Sequence, residues 1–276
     1  VLSLNEKYPH ISAIVNCHNH PKTPRLLKRA LDSIAAQQLN PDLRWEVVVV
    51  CDGKPDDAIV EVVKGFSDED DNFVVASGTR PHLTFFGTDE ASGYQCYPKN
   101  TAIVHQSKGE YISFLDYDNE WTPQHLQVLY DAMIEGVVWP DFTYGRRKYV
   151  VDGECDSTVK LPGGQEVTLA ERETPLIEWT NEAVQMLAHG PMYNFVDTSD
   201  FMIARGALWR LQVATGRLWN EEMRRFADWE LITRGAHFAG LRGKAVDAVV
   251  QIYHWHGDNV QLTRAATEEP QKKSVL

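Results

Sequence analysis

Two apolar, largely β-branched runs, residues 11–15 (ISAIV) and 45–50 (WEVVVV), each stop at a polar segment and give way to apolar residues at helical spacing. The first is followed by Asn16-Cys17-His18-Asn19-His20, then Pro24 and a stripe of Leu26, Leu27, Ala30, Leu31, Ile34 and Ala35. The second breaks at Cys51-Asp52-Gly53-Lys54-Pro55-Asp56-Asp57, ahead of Ile59, Val60, Val62 and Val63. A strand covered on both faces reads as an unbroken apolar run, and a crossover helix returns the chain to start the next strand in the same direction. Two such units side by side dictate a parallel α/β sheet. Residues 73–76 offer a third short strand. Residues 77–98, long and Gly-rich, are expected to cross the surface as a loop, with a helix beginning near Asn100.

Residues 111–115 (YISFL) form another β-prone run and end abruptly in Asp116-Tyr117-Asp118-Asn119-Glu120, before a Thr122-Pro123 helix start. Ligands of open α/β sheets bind beyond the carboxyl ends of strands, and carboxylates crowded there are costly unless a positive charge compensates them. Alternating oxygen ligands of the Asp-x-Asp type suit Mg²⁺ or Mn²⁺, which hold one or two carboxylates together with substrate phosphates. The competing reading is a solvated acidic turn capping the next helix.

The 39 acidic and 27 basic residues among 276 give a net charge of -12. Such a surface repels phosphate backbones, which disfavours direct nucleic-acid binding and suits a cation site. The four cysteines, Cys17, Cys51, Cys96 and Cys155, show no C-x-x-C or zinc spacing and read as reduced thiols. No apolar run is long enough to span a bilayer and residues 1–10 lack a signal-peptide pattern, so the expectation is a soluble, cytoplasmic protein without a transmembrane segment. In the second half, residues 142–151 and 166–169 read as strands around a Gly-Pro-rich hairpin at 152–165.

Taken in order, these motifs resemble family 2 glycosyltransferases of the GT-A fold. ISAIVNCHNHPKTPRLLKRALDSIAAQ is similar to their opening strand and helix, and WEVVVVCDGKPDD to their second strand with its Asp-Asp-Gly-Ser turn. Pro98-Lys99-Asn100-Thr101-Ala102 resembles their Ala-Arg-Asn-x-Gly helix start, and GEYISFLDYDNEW their metal-binding strand end. Later, residues 198–208 (TSDFMIARGAL) resemble a strand whose terminal Arg begins a helix. FADWEL resembles the Glu-Asp-Trp/Tyr-x-Leu segment, and YHWHGDN the Tyr-x-x-His-x-x-Asn closing motif. Cys51 departs from the usual first Asp, His18 from a common Tyr and Ala227 from an acid.

The resemblance implies a mixed, mainly parallel, Rossmann-like sheet flanked by helices, in one large domain with an acceptor-side extension. Residues 1–135 would form the nucleotide-sugar half, 136–265 the acceptor and catalytic half, and 266–276 a flexible tail. It further implies a metal-dependent enzyme that uses Mn²⁺ or Mg²⁺ and a nucleoside-diphosphate sugar, UDP-linked, and transfers with inversion to a sugar, lipid-linked or protein acceptor. Asn16 and Asp52 would bind the nucleotide, Lys99 a phosphate, and Asp116 ribose or the metal through water. Asp118 would be the principal metal ligand, with His256 as a third and His254 its rival, while His18 and His20 are loop residues. Asp228 would be the general base. Each has a plainer alternative: Asp52 a turn residue, Lys99 an exposed surface lysine, Asp228 a helix-start aspartate, and Trp219, Trp229 and Trp255 core aromatics rather than sugar platforms. The rival functions are a retaining enzyme, a non-catalytic nucleotide-sugar module, favoured by Cys51 and Ala227, and a metal-dependent hydrolase.

Overall fold

The structure, a computed structural model, describes residues 9–66, 81–93, 95–152, 158–160, 166–168, 171–191 and 194–255. The chain runs through β1 (Ile11–His18), α1 (Thr23–Ala35), β2 (Trp45–Asp52), α2 (Asp57–Lys64), β3 (His82–Gly87), α3 (Cys96–Thr101), β4 (Tyr111–Asp116), β5 (Glu120–Trp121) and α4 (His125–Ile134). It continues through β6 (Phe142–Val151), β7 (Thr158–Lys160), β8 (Glu166–Thr168), β9 (Arg172–Glu173), α5 (Asn181–Ala188), β10 (Phe201–Ala204), α6 (Arg205–Thr215), α7 (Ala227–Ala239) and β11 (Gly243–Trp255). Residues 102–106 extend α3 as a π-helical turn, and residues 198–200 form a 3₁₀ turn before β10.

One sheet carries the order β3-β2-β1-β4-β10-β6-β11-β5, with β9 paired to β6, while β7 and β8 form a separate hairpin. β1 pairs parallel with both β2 and β4, and β2 parallel with β3. β10 is antiparallel to both β4 and β6, and β11 is parallel to β6. Because β4 and β6 both oppose β10, the carboxyl ends of β1, β2, β4, β6 and β11 open on the same edge of the sheet. That edge gathers Asn16, Asp52, Asp116 and Asp152.

Alternation along the inner strands feeds two cores. Ala13, Val15, Val47 and Val49 face α1, α2 and α4, where they meet Leu26, Leu31, Ile59 and Leu129. Ile14, Val48 and Val50 face the opposite layer with Leu208, Leu211 and Leu231. The helix stripe expected from residues 26–34 is the buried face of α1, entered through Pro24, whose missing N–H costs nothing in a first turn.

One expectation is corrected. Residues 82–87 are not surface loop but β3, pairing parallel with β2 from Glu46↔His82 to Cys51↔Gly87. Its half-exposed, alternating HLTFFG suits an edge strand and lacks the all-apolar signature of the inner ones. The strand expected at residues 73–76 and the tail 266–276 lie outside the described residues, as do Cys155 and most of the 152–165 hairpin. Cys17, Cys51 and Cys96 are buried free thiols. No helix among the described residues is long and apolar enough to cross a membrane.

The amino end of the sheet is locked by a polar knot. Ser12 Oγ donates to Glu46 Oε1 at 2.6 Å and accepts from the Gly109 N–H at 2.8 Å, while Arg205 Nε donates to the Gly109 carbonyl at 2.7 Å. A Cβ on Gly109 would lie 2.5 Å from the Ser12 nitrogen and 2.7 Å from the Ile11 carbonyl carbon, backbone atoms that cannot swing aside. Gly109→Ala is therefore expected to destabilise the fold by about 3 kcal/mol, readable as a lower urea midpoint at unchanged slope.

Candidate active site

The acid-bearing turn grows out of β4. Asn16 and Asp116 are register partners on the adjacent strands β1 and β4, so their side chains leave the same face of the sheet. The turn closes through Asn119 N–H to the Asp116 carbonyl at 3.0 Å and is tied to β1 through Tyr117 N–H to the Asn16 carbonyl. Asn16 is 3% exposed, and its Oδ1 is a buried acceptor with no hydrogen-bond partner among the described residues.

Lys99 is not the exposed lysine of the plainer alternative. It is 0% exposed, its Nζ lies 3.0 Å from Asp116 Oδ1, and the ammonium sits 4.9 Å from the Trp219 ring centroid. Burial pushes the Asp116 carboxyl up and Lys99 pulls it back. The cation is thus spent first on an internal carboxylate and on an aromatic face. Trp219 is itself fully buried, a core residue under Lys99.

Asp52 also arrives engaged. Its carboxylate accepts from Ser92 N–H at 2.8 Å, Ser92 Oγ–H at 2.9 Å and Gly93 N–H at 2.8 Å, so it fastens the segment after β3 over the end of β2. Cys51, beside it, is fully buried against Cys17 and offers no oxygen to the cleft.

Asp228 lies in the first turn of α7, after Phe226, a non-glycine residue at φ 56°. It is 5% exposed and accepts the Trp229 N–H at 2.8 Å. Burial, reinforced by the charge of Asp197, pushes its carboxyl up to about 7, against the pull of the Trp229 amide, Arg147 and Lys99. The position is a helix start, as the plain alternative has it, yet desolvation outweighs the helix dipole. A carboxyl with this affinity accepts a proton readily near neutrality. Trp229 is pinned by Nε1–H to the Leu187 carbonyl at 2.8 Å, and Trp255 stacks on Tyr149 at 5.3 Å.

Behind these groups lies a buried ion cluster that sequence reading missed. Arg147 on β6 reaches Asp197 at 3.3 Å and Asp200 at 3.1 Å, and Gln251 Nε2 donates to Asp197 Oδ1 at 3.0 Å. Ser199, between the two acids, accepts the Asp116 N–H at 3.0 Å, so the 3₁₀ turn braces the end of β4. The cluster's trace in the sequence was the Arg146-Arg147 pair inside a strand otherwise destined for the sheet.

His254 on β11 is committed elsewhere than to a metal. Its Nδ1 lies 2.9 Å from Asp152 Oδ1 and its Nε2 2.6 Å from Glu120 Oε1. Both ring nitrogens are thus turned to carboxylates of the fold. His256 lies outside the described residues. No three His, Cys, Asp or Glu side chains among those described already converge as a metal cage. The donor set still fits a hard cation: the unpartnered Asn16 Oδ1 beside Asp116, and Asp118 two residues on, are all oxygens, and such ions complete their shells with phosphate and water.

Residues 12–83 match the Glycosyl transferase family 2 profile. The chain is 25% identical over 240 residues to the succinoglycan biosynthesis protein ExoW of Rhizobium meliloti (strain 1021), covering 85% of this chain and 68% of that protein. The fold is similar to S. aureus TarS 1–349 in complex with UDP, with a TM-score of 0.57 and 18% identity over 89% of this chain and 60% of that one. It is also similar to the mannosyltransferase PcManGT from Pyrobaculum calidifontis in complex with GDP-Man and Mn²⁺, with a TM-score of 0.54 and 19% identity over 90% and 57% of the two chains. The expected GT-A architecture is thus the observed one.

Proposed function

From the premise that this chain belongs to glycosyltransferase family 2, we propose that it moves a sugar from a UDP-sugar to an acceptor hydroxyl, with inversion and with help from Mn²⁺ or Mg²⁺. The observation that carries the reading is the pairing of an oxygen-rich strand edge with a buried carboxylate, Asp228, whose proton affinity is near neutral. Asp228 takes the proton of the acceptor hydroxyl as its oxygen attacks the anomeric carbon, and the bond to the diphosphate breaks in the same displacement. Asn16 and Asp52 border the nucleotide, with Asp52 acting through the Ser92–Gly93 segment that it holds as well as through its own oxygens. Lys99 stabilises the ionised form of Asp116, which keeps an acceptor at the strand end. A divalent cation held by Asp118, with Asp116 and His256, would neutralise charge on the leaving diphosphate. The UDP preference draws on the TarS complex and the cation on the PcManGT complex.

Thermal unfolding in the presence of UDP, GDP and their sugars, with and without Mn²⁺, tests this. A ligand at 100 times its Kd adds about 2.7 kcal/mol of stability, several degrees in midpoint for a chain of this size. The expected result is a midpoint rise with UDP that needs Mn²⁺. A larger rise with GDP would move the donor to the guanosine class, and no rise with any nucleotide would remove the donor site.

A further inference from the structure

The Asp118 turn is held from outside the sheet by one side chain on α1. Arg29 Nη2 donates to the Asp118 carbonyl at 2.8 Å, while Nη1 lies 3.0 Å from both Asp152 oxygens and Nε 3.7 Å from Glu120 Oε1. Asp152 and Glu120 are the two carboxylates that grip His254, and the His254 N–H donates to Asn119 Oδ1 at 3.2 Å. The turn is thereby fixed at both of its later residues, Asp118 by α1 and Asn119 by β11, through one charge cluster. Burial pushes the Asp152 carboxyl up, but Arg29 and His254 outweigh it and hold it below its usual range, which favours its ionised form beside the guanidinium.

We propose that Arg29 is a positioning residue: its guanidinium fork sets the acidic turn, and so the position of Asp118, for a metal-bound nucleoside diphosphate. This rests on the donor site proposed above. A planar fork reaches a carbonyl and two carboxylates at once, whereas the three donors of a lysine sit on one nitrogen, a compact point charge that does not span them. Arg29 bonds to the Asp118 turn, Asp152 and Glu120 rather than to Asp228, so its effect falls on donor binding and not on the chemical step.

Amide hydrogen exchange and donor binding in Arg29→Met, Arg29→Lys and Asp152→Asn test it. In the ligand-free Arg29→Met chain, amides of residues 117–119 are expected to exchange about tenfold or more faster, as for loss of a charge-assisted hydrogen bond, while the β1 and β2 amides keep their protection. The Kd for UDP with Mn²⁺ is expected to weaken about tenfold or more and the donor KM to follow it, with kcat at saturating donor unchanged. Arg29→Lys should rescue neither, and Asp152→Asn, which keeps an acceptor, should fall between. Unchanged exchange at 117–119 in Arg29→Met, or full rescue by lysine, overturns the proposal, as does faster exchange with unchanged affinity. If the parent chain binds no nucleotide with Mn²⁺, the donor site is what fails, and the proposal falls with it even where the exchange data show that Arg29 holds the turn.

Discussion

Asp228→Asn is expected to keep nucleotide affinity and lose turnover by about 10²–10⁴-fold, the usual worth of a general base. Asparagine fills the same space and still accepts the Trp229 N–H, so the loss is one of proton acceptance alone. The parent enzyme should gain activity as pH rises through about 7, where the Asp228 carboxyl ionises. The charge of Asp197 helps hold that proton on, so Asp197→Asn should move the midpoint to lower pH. The same residue leaves a mark on stability. Between the ordinary carboxyl value of 3.8 and about 7, the unfolded chain ionises here and the folded chain does not. Stability present at acid pH is therefore lost as pH rises through about 7, and at pH 8 the Asn variant should be the more stable by on the order of 3 kcal/mol. Near-native turnover in Asp228→Asn, or a product with the anomeric configuration of the donor, takes the base role from Asp228.

Asp118→Ala should leave the fold intact and weaken Mn²⁺-dependent UDP binding by about 100-fold or more, since losing even an outer-shell partner of a metal costs about 10–100-fold. Calorimetry with and without Mn²⁺ reads this directly, and unchanged metal-dependent binding would end the assignment. Asp116 is the poorer probe. Removing its carboxylate would leave Lys99 buried without its ion partner, at a cost of about 3–5 kcal/mol, and would mix unfolding with lost affinity.

The two readings of Lys99 mark where sequence reasoning reached its end. The motif around it placed a cation near the site at a helix start expected near Asn100; the helix begins earlier, at Cys96, and the cation lies in its last turn. Whether it faced solvent, a phosphate or a carboxylate depended on β4 and on Trp219, 120 positions away in the chain. His254 shows the same limit, for nothing in YHWHGDN tells which imidazole lies between two carboxylates supplied by β5 and the end of β6. Arg29 was hidden more thoroughly: it lies off the buried stripe of α1 and reads as a solvated helix residue until the turn after β4 folds against it.

Patterns that repeat at short range were legible in the residues alone. Strands buried on both faces must be continuous and apolar, so β1, β2 and β4, with the polar breaks that end them, could be read directly, and the carboxylates at those breaks came with them. β3 escaped because a half-exposed edge strand is not obliged to be apolar throughout. Tertiary structure decided the rest, because a charge acquires its role from what it is buried against. The Asp228 carboxyl is pushed up to about 7 by loss of water and the proximity of Asp197, Arg147 pairs with acids some 50 residues downstream, and the turn bearing Asp118 is bonded by a helix near the start of the chain. Desolvation and pairing across the sheet act through space, and no local pattern of residues encodes them.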